Sequence, residues 1–162
     1  TCALPIWILV YLNPDLDPKG AGYNVIQAKI AIGSGGFFGK GYLSGTQTQY
    51  GFLPEKTSDF VFPVIAEEWG FFGALVVILL MFGIIYQGLK IALEAKDKFS
   101  SLLAFGLSSL FLFHAIINVG MVIGLTPVTG IPLCFVSYGG TNLIMCMIAV
   151  GILLSIKMSK SS

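Results

Sequence analysis

Three long apolar runs, separated by short polar stretches, dictate most of what this chain can fold into. They cover about residues 69–89, 102–125 and 137–156. Crossing a bilayer as a helix takes about 20 predominantly apolar residues, and each run reaches that length. No water is available in hydrocarbon to satisfy a free N–H or C=O, so such runs close their hydrogen bonds internally, as helices. The rest of the sequence cannot clothe a water-facing surface. Residues are 56% hydrophobic and 10% charged, where a soluble domain carries about 25% charged residues. The reading is an all-α integral membrane protein, with three transmembrane helices in residues 69–162 behind a large loop over residues 8–68. Residues 1–7 resemble a translated adapter sequence or the end of a preceding span, and carry no functional weight.

Lysine distribution orients the spans. The loop between the first two runs and the C-terminal tail hold Lys90, Lys96, Lys98, Lys157 and Lys160 against Glu94 and Asp97. The opposite side holds four lysines against six acids. Basic loops stay in the cytoplasm, so the C-terminus is expected there and loop 8–68 outside. All nine basic residues are lysine, which removes the bidentate guanidinium that recognises phosphate and carboxylate. Nucleic-acid binding has no support. Cys2, Cys134 and Cys146 show no metal spacing, and the last two sit in apolar sequence as small hydrophobes.

The outer loop has internal structure. Asn13 to Gly20 is turn-rich. Tyr23, Ile26 and Ile30 then recur at helical spacing, which predicts a short, weakly amphipathic helix lying in the membrane interface. Gly33-Ser-Gly-Gly-Phe-Phe-Gly-Lys-Gly41 follows. It lacks the Gly-x4-Gly-Lys-Ser/Thr order of a phosphate loop, since Gly41 follows Lys40. A flexible turn is the better reading, with Lys40 as a point charge for an anionic group.

Acids are costly beside a bilayer unless solvated, paired or used. Glu55 and Asp59 lie in Phe52-Leu-Pro-Glu-Lys-Thr-Ser-Asp-Phe-Val-Phe62, just before the first run, with Glu67 and Glu68 further on. Capping of the next helix by Ser58 or Asp59 is one explanation; chemistry at the membrane surface is the other. Glu67 and Glu68 fit an interfacial helix start. His114 and Asn118, four apart, share one face of the second run, where interhelical hydrogen bonding accounts for them. No acid joins them at that depth, which argues against an ion-coupled transporter. Ser137-Tyr-Gly-Gly140 breaks the third run, either as an unwound entry lining a cavity or as a plain loop-to-helix junction.

Taken in order, several segments resemble one family. Gly20-Ala-Gly-Tyr-Asn-Val-Ile-Gln-Ala-Lys-Ile-Ala-Ile-Gly-Ser-Gly-Gly36 with Gly39-Lys-Gly41 and Gly45-Thr-Gln47, Phe52-Leu-Pro-Glu55 with Ser58-Asp-Phe60, and Ala66-Glu-Glu68 form one set. Asn118-Val-Gly-Met121, Gly124, Pro127-Val128, Gly130, Pro132-Leu133 and Ser137-Tyr-Gly-Gly140 form the second. Together they resemble the SEDS family (shape, elongation, division and sporulation; RodA, FtsW and SpoVE), its RodA branch most closely. The resemblance covers nearly everything after Tyr11.

The resemblance implies a peptidoglycan glycosyltransferase of about ten spans in the bacterial inner membrane, polymerising lipid II during cell elongation. This chain would be its last large loop and final three spans, inactive alone. The family's catalytic acid falls on Asp59, as general base or as ligand of a divalent cation (Mg or Mn); Glu55 would orient it or share the metal. Lys40 and Lys56 would face the diphosphate, and Ser137, Tyr138, Gly139 and Gly140 would line the substrate site. A class B penicillin-binding protein and the elongation machinery would be partners. Two departures stand out: Ser58 where the family has Thr, and Cys134 where it has Pro, which would loosen the loop. Two alternatives stay open, a lipid-linked precursor translocase and a non-catalytic scaffold for the transpeptidase.

Overall fold

The computed structural model describes residues 21–41, 44–45 and 59–161. Four helices appear among them: α1 (Ala21–Gly35), α2 (Val61–Glu94), α3 (Lys98–Ile123) and α4 (Gly140–Ser161). The last three are long and apolar enough to cross a membrane, with mean hydropathies of 2.3, 2.0 and 1.9. The expected all-α membrane architecture is thus present. The boundaries differ most at α2, which starts at Val61 rather than near residue 69.

The spans pack through small residues. Without a hydrophobic driving force inside lipid, helices gain from close approach, and small side chains permit it. Gly88 on α2 lies so close to the Ser108 hydroxyl of α3 that a Cβ there would overlap it. Around this contact Ile85, Ile91, Ala104, Phe111, Cys146 and Leu153 form a core shared by α2, α3 and α4. At its C-terminus α3 closes on Gly124, whose left-handed backbone (φ 80°) lets its N–H reach Met121 O while Leu125 N–H reaches Gly120 O. That reciprocal pair satisfies carbonyls left over at the helix end.

Helix α1 packs by the face the residue pattern did not favour. Ala28 and Ala31 are fully buried, while Ile26 and Ile30 face outward at 37% and 45% exposure. The same close-approach rule explains the inversion. Gly35 sits against the backbone carbonyl of Ala66 with no room for a Cβ. Ala28 and Ala31 join Phe60, Phe62, Met121, Val122 and Leu133 in a second core.

The glycine-rich turn after α1 is a backbone clamp. At Gly70 the α2 backbone turns left-handed (φ 68°, ψ −161°), which breaks the helical ladder. Its interrupted hydrogen bonds are remade by the turn: Lys40 N–H donates to Glu67 O at 3.0 Å and Gly41 N–H to Glu68 O at 3.0 Å. In the reverse direction Phe71 N–H donates to Gly36 O at 2.9 Å. Side chains on Gly39 or Gly70 would collide with the opposing backbone. The expected flexible turn is therefore pinned. Irregular backbone near a membrane persists only where its polar groups are satisfied, and here a second backbone segment does it.

Candidate active site at the entrance of the first span

Asp59 is half-buried and stands two residues before α2. The cap position of α2 belongs to Phe60, whose side chain makes no capping bond, and Ser58 lies outside the described residues. Asp59 is held from α3. Asn118, fully buried, donates from Nδ2 to Asp59 O at 3.0 Å and to Ile131 O at 2.8 Å. The Asp59 carboxyl extends over Gly130: a Cβ built there would lie 3.3 Å from Asp59 Oδ2. Gly130 has φ 66°, a conformation glycine adopts at no steric cost.

Other side chains hold the rest of this α3–α4 connection. His114 Nδ1 lies 3.2 Å from Pro132 O, and since a carbonyl only accepts, Nδ1 carries the proton in that bond. Ser137 Oγ accepts from Leu133 N–H at 2.8 Å. Phe135 has the one positive φ (64°) of any non-glycine among the described residues, and its ring stacks on Phe111 at 6.0 Å. The interhelical bonding expected of His114 and Asn118 is thus directed at backbone carbonyls of the connection, not at side chains of a neighbouring span.

Residues 135–140 wall a cavity of about 520 Å³, with Val61 and Leu143 completing the lining. It includes Ser137, Tyr138, Gly139 and Gly140, at the junction where the connection enters α4 at Gly140. Ser137 is buried at 7% exposure and committed to the turn, whereas Tyr138 is 84% exposed. Val61 brings the cavity within two residues of Asp59 along the chain.

Lys40 pairs with an acid of α2. Its Nζ lies 3.3 Å from Oε1 of Glu67, which is fully buried. Glu67 is therefore no interfacial helix start but the inner half of an ion pair that ties the glycine-rich turn to α2. Glu55 and Lys56 lie outside the described residues, as do residues 1–20. Cys134, at 1% exposure, occupies the core beside Cys146. Burial, then the neighbouring Cys146 thiol, pushes its thiol up to about 12. For the expected divalent cation, no group of three His, Cys, Asp or Glu side chains converges among the described residues, and Glu55, the expected second ligand, lies outside them.

Two features escaped the residue pattern: the burial of Glu67 against Lys40, and the reach of Asn118 to Asp59. The signal for the second was present. A connection carrying Pro127, Gly130 and Pro132 cannot form regular structure, so its buried carbonyls need donors, and Asn118 is a double donor on the adjoining helix.

With this geometry in view, the chain can be set beside known proteins. The FtsW/RodA/SpoVE family model, described as "Cell cycle protein", matches residues 7–162. The chain belongs to this family. It is 48% identical over 149 residues to the peptidoglycan glycosyltransferase RodA of Treponema pallidum, covering 92% of this chain and 34% of that protein. It is 49% identical to the peptidoglycan glycosyltransferase MrdB of Escherichia coli K12, covering 92% and 40%. The chain thus spans well under half the length of these relatives. Among solved structures, one of a peptidoglycan synthase complex that coordinates polymerization and crosslinking aligns with a TM-score of 0.74 at 31% identity, covering 94% of this chain and 41% of that one. A crystal structure of an aspartate-to-alanine mutant of the Thermus thermophilus rod shape determining protein RodA aligns at 0.63 and 27% identity, covering 98% and 55%. Membership of this family agrees with the resemblance read from the motifs.

Proposed function

We propose that this chain is the catalytic C-terminal portion of a peptidoglycan glycosyltransferase that polymerises lipid II for cell elongation, with Asp59 as general base. The observation that carries the reading is the position of Asp59: an aspartate at the entrance of a span, its carboxyl over Gly130, beside a connection that walls a cavity. An acid beside a bilayer is costly unless it is solvated, paired or used, and we read this one as used. The reading also draws on the names of the relatives, peptidoglycan glycosyltransferases that match 92% of this chain. Their greater length is why the reaction is assigned to the whole protein.

The Asp59 carboxylate takes the proton of the acceptor 4-hydroxyl as that oxygen attacks the anomeric carbon of the donor. The C–O bond to the polyprenyl diphosphate breaks, its electron pair leaves with the diphosphate, and the α-linked donor becomes a β-linked product. A single displacement at carbon inverts its configuration. The exposed Tyr138 and the bare backbone of Gly139 and Gly140 give the sugars a wall they can approach closely. The orientation follows the lysine bias: Asp59 on the outer face of the inner membrane, the C-terminus in the cytoplasm. A class B penicillin-binding protein is the expected partner, by analogy with the synthase complex whose fold this chain shares.

The test is lipid II polymerisation by the full-length protein carrying these residues, wild type against Asp59→Asn. Loss of polymer with normal membrane insertion is expected. Lipid transfer across vesicles that survives the substitution would favour a translocase instead. Binding of the transpeptidase without turnover in the wild type would favour a scaffold.

A further inference from the structure

Asp59 sits where α2 and the α3–α4 connection meet without a regular ladder. We propose that Asn118 is the positioning residue for Asp59, one amide fixing both the aspartate and the connection that its carboxyl lies against. This rests on the reading of Asp59 as the base.

Asn118 lies on α3 and is fully buried. Its two N–H groups go to two different segments: Asp59 O at 3.0 Å and Ile131 O at 2.8 Å. Ile131 adjoins Gly130, over which Asp59 Oδ2 rests. A single planar group therefore sets the backbone on both sides of the carboxyl. With the nitrogen facing two carbonyls the amide orientation is determined, and Oδ1 turns away. That oxygen is buried and has no hydrogen-bond partner among the described residues.

The orphaned oxygen is informative. A buried acceptor without a partner destabilises the fold, whereas an apolar side chain of similar shape would not carry that penalty. Leucine would remove that penalty but leave the Asp59 and Ile131 carbonyls without their donor, so the oxygen's burial is the cost of supplying both. What leucine cannot supply is the pair of donors, and those donors end on Asp59 and on the neighbour of Gly130. His114, one turn earlier on the same face, reaches Pro132 O at 3.2 Å and steadies the next residue of the same connection. Helix α3 is thus the rigid frame, and Asn118 transmits its position to the reacting acid.

Placement errors are expensive in catalysis: a shift of about 1 Å at a catalytic group costs on the order of 100-fold in rate. Asn118→Leu in the full-length protein carrying these residues should lower kcat for lipid II polymerisation by about 10–100-fold. KM for lipid II should stay near wild type, and kcat per folded molecule should fall beyond any loss of folded protein. Gly130→Ala perturbs the same geometry from the other side, setting a methyl 3.3 Å from Asp59 Oδ2 on a left-handed alanine, and should also lower kcat per folded molecule at unchanged KM. A wild-type kcat in Asn118→Leu overturns the inference. So does a loss of kcat that only tracks a loss of folded protein, which is what a purely structural amide gives. Should Asn118→Leu fail to fold, Gly130→Ala decides, and a wild-type kcat there overturns it. Asp59→Asn runs alongside: turnover in that variant refutes the base itself, whereas normal turnover in Asn118→Leu beside an inactive Asp59→Asn refutes only the positioning role.

Discussion

Two places in this molecule break helical backbone, and they are repaired by different means. At Gly70 the broken ladder of α2 is remade by another stretch of backbone, the glycine-rich turn, whose N–H and C=O groups pair with those of Glu67, Glu68 and Phe71. In the α3–α4 connection the irregular backbone is held largely by side chains, Asn118, His114 and Ser137. Backbone-to-backbone repair leaves no gap, because three glycines bring the chains into contact. The cavity lies further along this connection, walled by residues 135–140 with Val61 and Leu143. The first arrangement builds a joint; the second adjoins a cavity whose lining begins two residues after Asp59.

The contrast can be broken by substitution. Changes at the connection should cost turnover per folded molecule; changes at the clamp should cost stability and leave that turnover unchanged. Asp59→Asn has the largest expected effect on turnover, a loss on the order of 10²–10⁴-fold as is typical when a general base is removed. Polymer yield by gel and thermal midpoint measured together will show whether stability is spared.

At the clamp, Gly70→Ala forces a left-handed alanine, costing about 1–3 kcal/mol, and its Cβ also overlaps the Gly39 amide. The fraction of monodisperse protein after detergent extraction should fall, while turnover per folded molecule holds. A smaller and asymmetric effect is expected for the ion pair. Lys40→Met removes the cation beside the fully buried Glu67 carboxylate, and removing one partner of a buried pair costs about 3 kcal/mol or more. Glu67→Gln leaves Lys40, 30% exposed, able to reach water, so it should cost about 1 kcal/mol or less. Thermal midpoints of the two variants test that order, and equal losses would break it.

Cys134 should show the least effect of all. Its thiol is pushed up to about 12 against an ordinary 9.0, so it stays protonated in the folded protein at pH 8 to 10. A thiol that ionises more easily when unfolded contributes stability below about pH 9 and loses that contribution as pH rises toward 12. Iodoacetamide should leave Cys134 unlabelled in native protein at pH 8 and label it after unfolding, read by mass spectrometry. Substitution by alanine should leave turnover unchanged.

Three spans were legible in the sequence because hydrocarbon makes one demand, length of apolar helix, and composition answers it locally. The family was legible too, from motifs distributed along nearly the whole chain. The packing face of α1 was not. Tyr23, Ile26 and Ile30 form the apolar pattern, yet Ala28 and Ala31 are what the neighbours accept, since burial in a tight helix contact rewards smallness over hydrophobicity. Asp59 could be singled out from its motif, but a cap and a base look alike in one dimension. The position of the cap, at Phe60, is known only once the helix start is.

By itself, then, the sequence determined an all-α membrane chain, its three spans, its family and the aspartate to watch, because each follows from local composition or from residues in a fixed order. The tertiary structure alone decided that Glu67 is buried against Lys40, that the glycine-rich turn clasps a kink, and that Asn118 bridges Asp59 to the connection. Each joins residues far apart in the chain, and hydrogen-bond partners at such separations are set by how helices pack, which no local pattern encodes.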